Sequence, residues 1–392
     1  MSARLLTLVL CAGSIMGIAV GFRQGLGLYL PHISEIFGGG RETFALAMGL
    51  MNLFWGFAAP VAGAVADRFG AGRVAAVGGL FYAAGLVLMM QSGQEQLLAG
   101  GVLIGVGLSG GGFTVLLGAV GRAAPDEKRS AALGLASMGG SLGQFLALPY
   151  VHFLINGTGW QTSLLVLAAS ALLIVPLAIG VSSRPAAHAT ISTQSMGAAF
   201  SEALGSRDFW LLNSAFFVCG FHLAFVAIHL PAFLADRGFD PWLGAMALTV
   251  IGFANIIGSY AFGALGDRYR KKDVLSVIYL IRAAVFAGVL FLPVTPASVL
   301  VLCGLLGLTW LGTVPLTSGL VGVLFGTRYM SMVFGLVFIG HQLGGFLGAW
   351  LGGTAFDAFQ SYDVMWMLSI ALGVLSAILH WPIREARLAP AQ

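Results

Sequence analysis

The sequence predicts an all-α membrane protein: twelve transmembrane helices in two pseudo-symmetric six-helix halves, both termini in the cytoplasm. Three observations carry this. Hydrophobic residues make up 58% of the 392-residue chain and charged residues 9%, whereas a soluble domain carries about 25% charge. Apolar runs long enough to cross a bilayer, which takes about 20 residues each, follow one another with short polar turns between them. A charged hairpin, Gly63-Ala-Val-Ala-Asp67-Arg68-Phe-Gly70-Ala-Gly-Arg73, returns as Gly263-Ala-Leu-Gly-Asp267-Arg268-Tyr-Arg270-Lys271-Lys272. A repeat on that scale divides the chain into two similar halves.

In chain order, apolar runs fall at 5–30, 42–66, 74–91, 97–121, 130–155 and 161–182, then at 209–234, 242–266, 274–293, 298–325, 330–356 and 364–383. They define an N-terminal half (1–182), a cytoplasmic linker (183–207) and a C-terminal half with a short tail (208–392). The linker is polar and Ser/Thr/Ala-rich, with a short amphipathic helix expected around Met196–Leu204. The first run is too long for the apolar core of a signal peptide, so it is read as a retained span. The 57 glycines suit close packing of membrane helices.

Fifteen basic residues lie in the loops on one side, both hairpins included, against Arg41 and Arg237 on the other. The positive-inside bias places the hairpins and the termini in the cytoplasm. The formal net charge of +4 is spread over short loops and is no signal for nucleic acid. Cys11, Cys219 and Cys303 fall within apolar runs, with neither disulfide nor metal spacing. No phosphate loop or nucleophile constellation is present. An enzyme, an ATP-driven pump and a resident cofactor or metal are therefore not expected.

The repeat reaches beyond the hairpins. Gly21-Phe22-Arg23 and Leu30-Pro31 in span 1 match Gly220-Phe221-His222 and Leu230-Pro231 in span 7. Leu142-Gly143-Gln144-Phe145-Leu146 in span 5 matches Leu343-Gly344-Gly345-Phe346-Leu347 in span 11. With the Gly-x-x-x-Asp-Arg-x-Gly hairpin after span 2, the chain resembles the major facilitator superfamily over its whole length. Span 7 (His229-Leu-Pro-Ala-Phe-Leu-Ala-Asp236) and span 11 (Gly340-His341-Gln342) look like the bacterial monocarboxylate-porter branch. The resemblance implies two parallel halves rocking about a midplane site. It also implies cytoplasmic gating by Asp67, Arg68, Arg73, Asp267 and Arg268, the aspartates capping neighbouring helices; the plainer alternative is that the hairpin only sets topology. One departure stands out. The carriers of that branch place an arginine in mid-span 8, and here span 8 offers only Asn255.

Candidate site residues are the polar groups inside spans. Arg23 in span 1 is expensive in a bilayer, about 2.5–3.5 kcal/mol on insertion scales, and its fork matches a carboxylate bidentately. It serves substrate or coupling, or it snorkels outward toward Glu35. Arg282 in span 9 reads as a structural pair. His222 and His229, seven residues apart on one face of span 7, correspond in the repeat to Arg23 and Tyr29. They orient or protonate an anion, or they bond neighbouring helices. Gln144, His341 and Gln342 line the cavity or bridge helices, while Asn52 with Trp55, and Trp310 with Thr313 and Thr317, form amphipathic faces.

No Asp or Glu lies in the middle of any span, so the cavity favours an anion. The expected function is secondary transport of a small organic anion, best matched by a monocarboxylate, by alternating access with proton symport or exchange. The expected setting is a bacterial inner membrane, with one chain acting as a monomer among lipids. The alternative is a carrier of larger amphipathic compounds of drug or siderophore type; a non-transporting membrane receptor is the remote one.

Overall fold

The computed structural model describes residues 3–91, 93–124, 129–181, 196–325 and 330–385. These residues form an all-helical protein with twelve helices long and apolar enough to cross a membrane. Spans 1 to 6 are Ala3–Ile36, Glu42–Ala66, Ala71–Met89, Gln94–Val120, Gly134–Thr158 and Trp160–Gly180. Spans 7 to 12 are Arg207–Ala235, Pro241–Gly266, Lys271–Phe291, Pro296–Phe325, Val333–Phe359 and Asp363–His380. A short helix, Met196–Gly205, precedes span 7.

Local sequence explains where helices stop and restart. Gly159, at φ +80°, turns span 5 into span 6 with no other linking residue, a conformation that costs any L side chain about 1–2 kcal/mol. Gly70, at φ +97°, does the same between spans 2 and 3, ending one helix and starting the next. The second hairpin has no such glycine. Its helix ends at Arg268, and Tyr269 and Arg270 pass to span 9 with ordinary negative φ. The second turn thus takes two extended residues where the first takes one left-handed glycine. The Lys-Lys pair that follows anchors the C-terminal segment: the Lys271 and Lys272 amides donate to the Glu385 carboxylate, and Lys272 Nζ donates to the Trp381 carbonyl at 2.8 Å.

Several spans are broken. Span 1 tightens into a 3-10 turn at Leu26–Tyr29 before restarting at Leu30-Pro31, where proline suits a first helical turn. Span 4 breaks at Gly112 and span 10 at Thr309–Gly312, two hundred residues apart and in repeat-equivalent spans. In the C-terminal half this break is stitched by polar groups. Arg282 Nη2 donates to the carbonyls of Thr309 and Trp310, and Asn255 Oδ1 accepts from the Leu311 amide at 3.0 Å. In the N-terminal half Trp55, the equivalent of Asn255, packs against Gly112 instead.

The halves meet at mid-depth and at the end opposite the termini. A Cβ on Gly27 of span 1 would overlap the Ala227 carbonyl of span 7, and one on Gly49 of span 2 would press on Phe346 of span 11. Asn255 of span 8 reaches Ser141 of span 5 at 3.4 Å. Toward the termini the helices splay. A Cβ on Gly134, Gly263 or Gly335, at the terminal ends of spans 5, 8 and 11, would meet nothing. Val61 and Tyr260, near the terminal ends of spans 2 and 8, are 64% and 82% exposed. The molecule is open at the end that carries the termini and closed at the far end.

Candidate substrate site

Arg23 sits in the last turn of the first helix of span 1, two residues before that helix gives way to the 3-10 turn. Its cation therefore lies at the negative end of a helix dipole inside the bilayer. Its Nη1 donates to Asn52 Oδ1 at 3.4 Å, its guanidinium carbon stands 5.4 Å from the Trp55 ring centroid, and its Nε is buried with no partner. The Asn52 amide is fixed because its Nδ2 donates to the Met48 carbonyl at 2.9 Å, which leaves the side-chain oxygen facing Arg23. Among the described residues no carboxylate answers this charge. A long hydrogen bond, an aromatic face and one idle N–H donor are a partial shell, and a ligand carboxylate would complete it.

The C-terminal half closes over the same place through span 11. Gln342 Nε2 donates to the Asn52 backbone carbonyl at 3.3 Å, and its Oε1 faces His341 Nδ1 at 2.8 Å. The His341 ring stacks on Phe338, with 5.4 Å between centroids, and Phe338 meets Trp55 edge-on at 5.4 Å. Arg23, Asn52 and Trp55 from one half and Phe338, His341 and Gln342 from the other form one contiguous polar and aromatic cluster. Two further buried amides have unsatisfied atoms: both side-chain atoms of Gln24, beside Arg23 in sequence, and Oε1 of Gln144 in span 5.

The matching family model settles what kind of protein this is: it is that of the Major Facilitator Superfamily, over residues 9–349. The chain belongs to the major facilitator superfamily. Its relatives include monocarboxylate transporter 13 of Bos taurus, 28% identical over 341 residues (83% of this chain, 78% of the relative). Monocarboxylate transporter 11 of Mus musculus is 26% identical over 395 residues (96% and 86%). The uncharacterized MFS-type transporter YcxA of Bacillus subtilis is 25% identical over 373 residues (92% and 90%). Among solved structures the fold matches a D-xylose-proton symporter, with TM-score 0.76 and 14% identity over 98% of this chain and all of the other. It also matches a bacterial homologue of the lysosomal transporter Spinster, with TM-score 0.74 and 14% identity over the whole of both chains. The protein is a transporter of this superfamily and not an enzyme.

Within that superfamily chain, other expected site residues are engaged elsewhere. His222 Nε2 donates to the Ser369 carbonyl of span 12 at 2.9 Å, with Phe286 of span 9 against its ring. His229 binds the Ala349 carbonyl of span 11 through Nε2 at 2.7 Å and the Tyr362 hydroxyl through Nδ1 at 3.1 Å. Both are turned toward spans 9, 11 and 12 and hold the C-terminal half together; neither touches Arg23. The pairing of Arg23 with His222 is off by one residue. Gly143 packs on the Gly17 carbonyl as Gly344 packs on that of Phe217, and Tyr82 bonds the Ala19 carbonyl as Arg282 bonds Cys219. The repeat offset in span 7 is therefore two hundred, and Arg23 corresponds to Leu223. One residue turns a helical side chain by about 100°, enough to send His222 to the other face.

Tyr29 is also a helix bridge, its hydroxyl 2.5 Å from Ser163 Oγ of span 6. Asn255 and the buried Trp310 belong to the break in span 10. Arg282 is fully buried; its two Nη groups are bonded to two carbonyls and to Cys219 Sγ at 3.3 Å, while its Nε is left without a partner, the structural role expected of it. Of the hairpin residues, Arg73 and Arg268 are exposed, and the side chains of Asp67, Arg68 and Asp267 lie outside the described residues.

The far end holds a network that the sequence reading left unassigned. Arg41 Nη1 donates to Asp236 Oδ2 and to the Tyr362 hydroxyl, both at 2.8 Å, while Nη2 pairs with Asp236 Oδ1. Its guanidinium carbon lies 3.6 Å from the Phe356 ring centroid. The Arg41 and Glu42 amides donate to Asp357, which caps span 2 from span 11. Burial opposes the Arg41 charge, but the bonds to Asp236 and Tyr362 more than offset it and raise its pKa above the ordinary value. The signal was present in the sequence. Arg41 is one of only two loop cations on the acidic side.

Proposed function

We propose that the protein moves a small organic anion, a monocarboxylate by preference, across a bacterial inner membrane by alternating access, with Arg23 holding the carboxylate. The observation that carries this reading is the unanswered Arg23 charge at mid-depth, between the halves and on no acid. The monocarboxylate-transporter relatives support the substrate class. A carboxylate would take the free Nε–H and an Nη–H in bidentate fashion, displacing the long bond to Asn52. Trp55 and Phe338 suit the apolar remainder of a small acid. The positive-inside bias makes the splayed end cytoplasmic, so this conformation is inward-facing. Arg41, Asp236, Tyr362 and Asp357 are then the periplasmic gate, the contacts that an outward-facing state must break. The cytoplasmic hairpins close the other side in that state. The proton-coupled form fits the absence of any mid-span acid, since the proton then travels on a histidine or on the substrate.

In proteoliposomes, Arg23→Ala is expected to abolish uptake while leaving the yield and thermal midpoint of the protein unchanged, because no ion pair is lost. Uptake by that variant at the wild-type rate would remove Arg23 from the site. A thermal-shift panel of mono-, di- and tricarboxylates, sugars and lipophilic cations tests the class. Stabilisation by lipophilic cations alone would overturn it.

A further inference from the structure

The spans of this protein carry no mid-span carboxylate, so the coupled proton of an anion symporter needs another seat. Of the described histidines, His222, His229 and His380 each bond a backbone carbonyl and are at most 1% exposed. His152 is tied to Asn156 of its own helix at 3.0 Å, and His32 stands next to Pro31 toward the far end of span 1. His341 differs in its partner: it bonds no carbonyl, retains 8% exposure, and its Nδ1 meets Gln342, which itself reaches across to Asn52 of the other half.

We propose that His341 carries the coupled proton, and that Asn52 and Gln342 link its protonation to the anion held by Arg23. This inference rests on the anion reading above. The hydrogen bonds define the atoms. Gln342 Nε2 must donate to the Asn52 carbonyl, so Gln342 Oε1 accepts from His341 Nδ1–H. The neutral ring therefore keeps its lone pair on Nε2, which is where a proton adds. Phe216 of span 7, one helical turn before Cys219, packs on the His341 ring with 4.6 Å between centroids, which sets span 7 beside the imidazole. The Cys219 sulfur is held by Arg282 Nη1 at 3.3 Å and by Thr313 Oγ1 at 3.2 Å. One chain of contacts runs Arg23, Asn52, Gln342, His341, crossing between the halves at Asn52 and Gln342.

The charged and titratable groups linked to His341 are Arg23, through Asn52 and Gln342, and, on the side of span 7, Cys219 with Arg282 and Tyr279 of span 9 behind it. Among the described residues this set holds two cations and no carboxylate, so a carboxylate arriving at Arg23 supplies the missing negative charge. Anion and proton thereby favour each other by one and the same coupling free energy, typically a factor of about 5–150 in affinity. That reciprocity is symport. Rocking of the halves slides span 2 past span 11 and breaks the chain at Asn52–Gln342, separating the two sites for release.

The test is proton uptake by the purified full-length transporter on addition of lactate or pyruvate, read with a pH dye in weak buffer beside a binding isotherm. Wild type is expected to take up about one proton per anion bound, with affinity falling at least fivefold from about pH 5.5 to about pH 8. His341→Asn and His341→Gln each keep an amide and remove the imidazole. Each is expected to take up no proton with whatever anion it still binds and to show a flat pH profile. Gln342→Met, which leaves His341 in place, is expected to weaken the pH dependence without removing proton uptake. A His341 variant that still takes up a proton with the anion overturns this inference, as does wild-type binding without any proton. Wild type that binds neither acid overturns the anion reading itself, which keeps the two failures distinct.

Discussion

Gly27→Ala places one methyl group where the two halves touch backbone to backbone. Gly27 lies in the 3-10 turn of span 1, and its added Cβ would run into the Ala227 carbonyl and the Ile228 Cα of span 7. Neither atom is the tip of a flexible side chain, so the overlap is relieved only by moving one half away from the other. Overpacking of this kind costs about 1–3 kcal/mol. The contact belongs to the closed far end alone, so the cost falls on the far-closed state and spares the far-open one. At 1.4 kcal/mol per decade, the ratio of far-closed to far-open molecules should drop by about 5- to 150-fold. Spin labels at Ile36 and Val364, exposed on opposite halves at the far end, would report it in a background with Cys11 replaced by serine. The distance distribution should gain a longer component in Gly27→Ala, while a label pair at the terminal end shortens. An unchanged far-end distribution in a folded variant would refute both the closure and its assignment to spans 1 and 7.

Asp236→Asn is expected to move the same distribution in the same direction. Because Arg41 titrates above its ordinary value, its stabilisation is fully present below that value and is lost only as pH rises through the raised one. The Arg41 side of the gate should therefore hold flat from about pH 6 to about pH 10; a far-end opening in that window that disappears in Arg41→Gln would contradict this. Asp357→Ala removes the cap of span 2 and should lower stability by about 0.5–2 kcal/mol, read as a lower thermal midpoint. Arg282→Met should fail to accumulate or unfold many degrees early, since it strips the broken end of span 10 of its donors. His229→Phe should cost about 1–3 kcal/mol of stability with anion affinity intact; loss of binding in a stable His229 variant would return that residue to the site.

The fold was legible because the bilayer writes it in large letters. Twelve apolar runs, a fifteen-to-two split of loop cations and a duplicated hairpin each point to the same architecture, and the ends of the observed helices differ from the expected runs by a few residues. Arg23 was legible for the same reason, since a charge in a span is costly enough to demand an explanation. The direction in which His222 and His229 point was not. A two-glycine motif can be aligned one residue out of phase without harming the apolar pattern, and membrane helices are apolar on every face. Only the packing of Gly143 on Gly17 against that of Gly344 on Phe217 fixes the phase. The far-end network was hidden for another reason. Arg41, Asp236 and Tyr362 come from three separate loops and Asp357 from the last turn of span 11, and their meeting depends on the conformation.

The repeat sets each half the same mechanical task and lets chemistry differ where they face each other. Spans 4 and 10 both break at mid-depth, and each break needs a neighbour to fill it. In the C-terminal half the fillers are Asn255 and Arg282, whose Oδ1 and Nη2 meet the freed backbone groups of span 10. In the N-terminal half the equivalent residues are Trp55 and Tyr82. Trp55 covers the break with an aromatic face, and Tyr82 spends its hydroxyl on the Ala19 carbonyl at 3.0 Å. No cation is consumed there, so the arginine of that half, Arg23, is left with a neutral amide and an indole. A charge locked into one half as scaffold and a charge left open in the other give the site its polarity. In the proposed mechanism the anion is held beside span 1 and the proton on span 11, and the contact of span 2 with span 11 is the one that must break.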